Sequence, residues 1–125
     1  MERKIVYLVN PISGTSRKDG IKQLIEKENT DRAISFEIMH TNAGGHYQLL
    51  REKIRAEHVT DVVIIGGDGT VNQVTQALHG LSIRFGIIPL GSGNGLALAA
   101  RIPTKPELAL SLIFEGKSRP IDAFM

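Results

Sequence analysis

Apolar residues along the chain alternate between two rhythms. Ile5–Val9 is an unbroken apolar, β-branched run and reads as a buried strand. Asn10-Pro11-Ile12-Ser13-Gly14 then forms a turn cluster. Ser16 and Asp19 have the spacing of a capping box, and Ile21, Leu24 and Ile25 follow at helical intervals. Ala33–Met39 alternates as a strand does, Thr41–Gly45 is a loop, and Tyr47, Leu50 and Ile54 mark a second helical stripe. Val62–Ile65 predicts a third strand, Gly66-Gly67-Asp68-Gly69 a turn, and Val71, Val74 and Leu78 a helix face. Phe85–Leu90 predicts a fourth strand, followed by the turn Gly91–Gly95 and a helix over Leu96–Arg101 that Pro103 stops. Thr104 caps a further helix, with Glu107 in the capping-box place and Gly116 after its end. Arg119–Phe124 is a last strand.

Four βα units, an extra helix and a strand predict an α/β fold: a parallel sheet, right-handed crossovers and helices on both faces. The length of 125 residues suits one domain. With 42% hydrophobic and 22% charged residues, the chain is not disordered or low-complexity. Its longest apolar runs, Ile5–Val9 and Leu96–Ala100, have five residues, against the roughly 20 that a spanning helix needs. Met1-Glu2-Arg3-Lys4 leads straight into a strand and shows no signal-peptide pattern. The chain has no cysteine, which removes disulfides, zinc–thiolate sites and cysteine nucleophiles and fits a reducing compartment. A formal charge of +2, no tryptophan and no clustered basic residues argue against a nucleic-acid surface. His40, His46, His58 and His79 lack metal-ligand spacing, and Arg17, Lys18, Lys22 and Lys27 read as a solvated helix face. The chain stops within the strand-like Ile121–Met125, as a piece of a longer protein would.

Ligands of open parallel sheets bind at the carboxyl ends of the strands. Asn10–Gly14, Thr41–Gly45, Gly66–Thr70 and Gly91–Gly95 all fall there by chain order. Glycine turns that run into helix N-termini gather backbone N–H groups on a phosphate, and glycine either permits close approach or supplies a positive φ. The usual nucleotide signatures are absent. There is no G-x-x-x-x-G-K-[ST] sequence, and Leu96 and Asn72 stand where a dinucleotide fingerprint needs glycine or alanine. Asp68 has two readings: an Asx-turn that caps the following helix, or a ligand, direct or through water, for Mg²⁺ on a polyphosphate. Thr70 could cap the helix or donate to phosphate. Asn72 and Gln73, one turn in, could reach the ligand or face solvent.

Gly66-Gly67-Asp68-Gly69-Thr70-Val71-Asn72 resembles the glycine–aspartate signature of the diacylglycerol kinase catalytic domain. Asn10-Pro11-Ile12-Ser13-Gly14 resembles that family's N-P-x-S-G loop, and Thr41 with Gly45-His46 its T…G-H segment. Pro89-Leu90-Gly91-Ser92-Gly93-Asn94 resembles its P-x-G-[ST]-x-N turn. The four motifs come in order and span nearly the whole chain. The wider superfamily includes sphingosine, ceramide and NAD kinases and 6-phosphofructokinases. The N-P-x-S-G and Gly91 motifs favour the lipid-kinase branch.

The resemblance implies a three-layer αβα sandwich, Rossmann-like and similar to the N-terminal domain of phosphofructokinases. It implies ATP as donor, Mg²⁺ as cofactor, and transfer of the γ-phosphoryl group to a lipid hydroxyl of diacylglycerol or sphingoid type. It assigns nucleotide contacts to Asn10, Pro11, Ser13, Gly14, Thr41, Gly66, Gly67, Asp68, Gly69, Thr70, Asn72, Gln73, Gly91, Ser92 and Asn94. Asp68 carries the metal, directly or through water, and is the catalytic candidate. Family members are about twice as long or more, with a second, β-rich domain holding the base and much of the lipid site. The expectation is a nucleotide-binding half that transfers nothing alone. The implied setting is the cytoplasm, with peripheral contact at the inner membrane face through that second domain; a homodimer is compatible. Gln73 stands where many members have glutamate, which removes a charge, and the Ser92–Gly95 region resembles the sphingosine and ceramide kinase variant. The alternatives are a kinase of a soluble substrate and a non-catalytic nucleotide-binding module.

Overall fold

The structure is a computed structural model. It describes residues 3–9, 15–41, 47–66, 68–89 and 106–115, and at 15–19, 68, 89, 106 and 107 the backbone alone. Its elements run β1 (Lys4–Val9), α1 (Thr15–Asp31), β2 (Ser35–His40), α2 (Gln48–Glu57), β3 (Asp61–Gly66), α3 (Asp68–Ala77), β4 (Arg84–Pro89) and α4 (Pro106–Phe114). The helix expected over Leu96–Arg101 and the strand over Arg119–Phe124 lie outside the described residues.

The described strands form one sheet in the order β2-β1-β3-β4, and every pairing is parallel. The central strands β1 and β3 are sealed on both faces. Ile5–Val9 and Val62–Ile65 are at most 1% exposed, which is why both read as unbroken apolar runs. At the edge, β2 is half-buried with its ends exposed, and its sequence alternates accordingly. Right-handed crossovers in this order put α1 on one face and α2 and α3 on the other. α4 packs against α1 and β4. Each helix turns an apolar stripe to the sheet: Ile21 and Ile25, Leu50 and Ile54, Val71, Val74 and Leu78, then Ala109, Leu110 and Ile113. The leucine-rich segment 108–113 is thus a core helix, with Leu108 alone of its large apolar side chains exposed. Gly86 lets α4 come close. A β-carbon there would stand 2.9 Å from Ile113 Cγ1 and 3.3 Å from Val63 Cγ2.

The start of β2 differs from the sequence reading because of an atypical helix end. Ala33 does not open β2. It takes the left-handed conformation (φ 55°) that ends α1, and its N–H donates to the Thr30 carbonyl while that of Ile34 donates to Asn29. His58 ends α2 in the same way, at φ 55°. Glycine or asparagine usually marks such a position, so the residue types concealed it. A second correction is that α3 includes Asp68, which shortens the expected Gly66–Gly69 turn.

At the amino edge of the sheet, Arg3 ties distant segments together. Its Nη2 lies 2.9 Å from Asp61 Oδ2 and donates to the Ile113 carbonyl, while Nη1 donates to that of Phe114. The end of α4 is thereby capped by a side chain that also pairs with β3. Arg51 of α2 does the same for α3, donating to the carbonyls of Ala77 and His79. Inside, the buried Asn29 amide donates to the Tyr7 hydroxyl at 2.9 Å and to the Ile25 carbonyl at 2.8 Å.

Candidate functional site

Parallel register carries the strand exits to one edge. Val9 pairs with both His40 and Ile65, Ile65 with Ile88, and Gly66 with Pro89. The N–H of Thr41 donates to the Val9 carbonyl at 3.0 Å, which sets half-buried Thr41 beside the exit of β1. The chain therefore leaves toward Asn10, Thr41, Gly67 and Leu90 from neighbouring points along that edge. This is the carboxyl edge on which chain order placed the four motifs.

The strand order adds what chain order lacked. Connections from β1 and from β3 leave on opposite faces of the sheet, so β1 and β3 flank the switch point at which such sheets open a ligand crevice. The N-P-x-S-G loop follows β1, and the glycine–aspartate segment follows β3. The two strands that lead into them, β1 and β3, are paired neighbours although the chain places β2 and α2 between them.

Between β3 and α3 stands a single residue, Gly67. The helix starts at the sheet edge itself, so its first N–H groups, which have no intrahelical acceptor, lie at the mouth of the crevice. Gly66 and Gly69 do not serve the positive φ considered for glycine turns: neither adopts one. A β-carbon on Gly66 would meet Thr70 at an ordinary 3.5 Å, and one on Gly69 would meet nothing within 4 Å. The fold itself does not require glycine at either position. A side chain on Gly69 would enter open space, and one on Gly66 would rest on Thr70.

Asp68 is the first residue of α3, and its carboxylate is outside the described atoms. A carboxylate in the first turn is favoured by the helix dipole. Thr70 is half-buried against Gly66, Asn72 is exposed and Gln73 half-buried, all within the first two turns of α3. Asn10, Pro11, Ser13, Gly14, Gly67, Gly91, Ser92 and Asn94 lie outside the described residues. Arg51, which spacing did not mark, holds the far end of α3 to α2 and so steadies the helix that carries Asp68 and Thr70. Only the fold shows this, because 26 residues separate Arg51 from Ala77.

Residues 4–125 match the family model of the diacylglycerol kinase catalytic domain. A Mycobacterium tuberculosis protein named diacylglycerol kinase is 32% identical over 124 residues, which cover 95% of this chain and 39% of that protein. The "Probable lipid kinase YegS-like" protein of Cronobacter sakazakii is 45% identical over 65 residues, covering 49% of this chain and 22% of its own length. Among solved structures, a diacylglycerol kinase from Bacillus anthracis superposes with a TM-score of 0.73 at 26% identity, covering 92% of this chain and 44% of that one. The chain thus matches between 22% and 39% of the length of these two curated relatives. A parallel sheet with its glycine–aspartate segment at the switch point, matched from residue 4 to residue 125, makes this chain a member of the diacylglycerol kinase catalytic-domain family.

Proposed function

We propose that the chain is the ATP-binding part of a lipid kinase that moves the γ-phosphoryl group of ATP to a lipid hydroxyl. The observation that carries this reading is the family match over residues 4–125 together with the Gly66–Thr70 segment at the β3–α3 junction. Phosphoryl transfer is chiefly positioning and charge neutralisation, and this junction supplies both. The N–H groups opening α3 bind phosphate oxygens, open space beside Gly69 admits them, and Thr70 lies in the first turn of the helix. The reading also assigns to the nucleotide Asn10, Ser13 and Gly14, which follow β1 in sequence, Thr41, which follows β2, and Ser92, which follows β4. Asp68 would hold Mg²⁺, directly or through water, and the ion supplies neutralisation of the polyphosphate charge. One carboxylate suits Mg²⁺, which keeps waters and takes phosphate oxygens for its remaining positions.

The lipid acceptor and the base that takes its proton belong to the length that the relatives carry beyond the matched part. On this reading the 125 residues bind nucleotide and transfer nothing by themselves. The whole enzyme meets its substrate at the inner membrane face. No helix among the described residues is long and apolar enough to cross a membrane.

Calorimetric titration of ATP, with and without Mg²⁺, into the chain and into Asp68→Asn tests the reading. The expected result is Mg²⁺-dependent binding weakened at least tenfold by the substitution. Binding indifferent to both Mg²⁺ and the substitution would reduce Asp68 to a helix-capping residue. Absence of nucleotide binding by the chain and by the longer protein would overturn the proposal.

A further inference from the structure

α3 presents its first N–H groups at the carboxyl edge, and its other end lies about 15 Å away. Each turn is hydrogen-bonded to the next, so whatever fixes one end also aims the other. The stripe Val71, Val74 and Leu78, at most 1% exposed, keeps α3 on the sheet. Apolar burial is non-directional, however, and sets the distance of a helix from the sheet better than its direction along it.

A directional contact stands at the far end. The turn after α3 takes several of the last carbonyls by itself. The N–H of Leu78 donates to Val74 at 3.0 Å, that of His79 to Gln76 at 3.3 Å and that of Leu81 to Leu78 at 3.4 Å, with Gly80 at φ 89°. Among the described residues, the carbonyls of Ala77 and His79 are served from outside this turn: Nη1 of Arg51 donates to both, at 2.9 and 3.1 Å. Arg51 is half-buried and lies in the turn that opens α2, where its own N–H donates to the carbonyl of buried Tyr47 at 3.0 Å. One residue is thus anchored by its backbone at the start of α2 and by its guanidinium at the end of α3. A cation on the carbonyl end also complements the dipole of the helix whose other end opens the crevice.

We propose that Arg51 is a positioning residue of the nucleotide crevice: by holding the carbonyl end of α3 to α2, it keeps the N–H groups that open α3 aimed at the phosphates. This role rests on the nucleotide reading of the carboxyl edge and adds to it a residue that acts from the opposite end of the helix. A misplacement of about 1 Å, caused far from the chemistry, can cost a site of order 100-fold in rate. α3 is the lever that carries such a displacement from Arg51 to the phosphates.

The test compares Arg51→Ala and Arg51→Lys with Arg3→Ala, whose guanidinium caps α4 instead of α3. Two readouts are taken at a temperature where circular dichroism shows all the chains folded: calorimetric affinity for Mg²⁺–ATP, and NMR amide shifts of the nucleotide-free chains. Arg51→Ala is expected to weaken Mg²⁺–ATP roughly fivefold or more and to shift the amides of Gly69–Val71 as well as those near Ala77. Arg51→Lys, whose ammonium can donate to the same two carbonyls, should recover most of the affinity. Arg3→Ala is the more destabilising change, yet its affinity should stay within about twofold and its Gly69–Val71 amides should not move. An Arg51→Ala chain that binds as tightly as the original would overturn the proposal. So would an equal loss in Arg3→Ala, which would make the effect one of general stability. If the unsubstituted chain binds no ATP, the nucleotide reading fails and the amides still decide the tie. Shifts at Gly69–Val71 then uphold the hold of Arg51 on the opening turn of α3, and shifts confined to residues 77–80 overturn it.

Discussion

Arg3→Ala should be among the most damaging substitutions at the periphery of this fold. In the structure the guanidinium makes four contacts: 2.9 and 3.4 Å to the carboxylate of Asp61, 2.9 Å to the Ile113 carbonyl and 3.1 Å to that of Phe114. Removing it leaves a carboxylate that is only 6% exposed, together with two carbonyls at the end of α4. Breaking a buried pair costs about 3–5 kcal/mol. Here the lower end applies, because Arg3 itself is 20% exposed and Asp61 keeps the Thr60 hydroxyl at 2.6 Å and Arg84 at 3.4 Å. The expected loss is about 3 kcal/mol, which for a chain of this length lowers the unfolding midpoint by roughly 10 °C. Urea unfolding of Arg3→Ala, Asp61→Ala and the double variant separates the pair from the cap, and a coupling of at least about 1 kcal/mol is expected. Hydrogen exchange should rise in α4 more for Arg3→Ala than for Asp61→Ala, since Arg3 alone reaches the α4 carbonyls. A loss below about 0.5 kcal/mol, the scale of an ordinary surface ion pair, would refute the reasoning. So would strict additivity of the two single substitutions.

Gly86→Ala should cost about 1–3 kcal/mol in chemical unfolding, because the new methyl meets Ile113 Cγ1 at 2.9 Å, and Ile113→Val should recover part of the loss; a neutral Gly86→Ala would mean that α4 shifts freely. Burial pushes the Tyr7 hydroxyl up from 10.0 to about 12, so its contribution to stability is complete below pH 10 and fades as pH rises from 10 through 12. Tyr7→Phe should remove that alkaline loss, read as the pH dependence of the urea midpoint, while costing about 1 kcal/mol at neutral pH through the lost bond to Asn29; an unchanged alkaline limb would assign it to other groups.

Much of this protein was legible in residue order. Continuous apolar runs at Ile5–Val9 and Val62–Ile65 announced strands covered on both faces, and chain order assigned the motif segments after the strands to one edge before any pairing was known. What the residue types hid was local but atypical. Ala33 and His58 end helices in a conformation that glycine normally signals, so the start of β2 was misread. Gly66 and Gly69 attracted attention in part for a turn geometry they do not adopt.

The sequence by itself determined the alternation of strands and helices, the edge on which the motifs gather, and the family. Each depends on short-range periodicity or on contiguous residues. Only the tertiary structure decided the order β2-β1-β3-β4, and with it the pairing of β1 with β3 at the switch point. Parallel strands expose the same backbone groups to any neighbour, so no local pattern names the partner. The Arg3–Asp61 link, 58 residues apart, and the seat of Ile113 on Gly86 are decided in the same way. They arise from side chains that are unremarkable in sequence and acquire a role only when crossovers bring distant segments within contact distance.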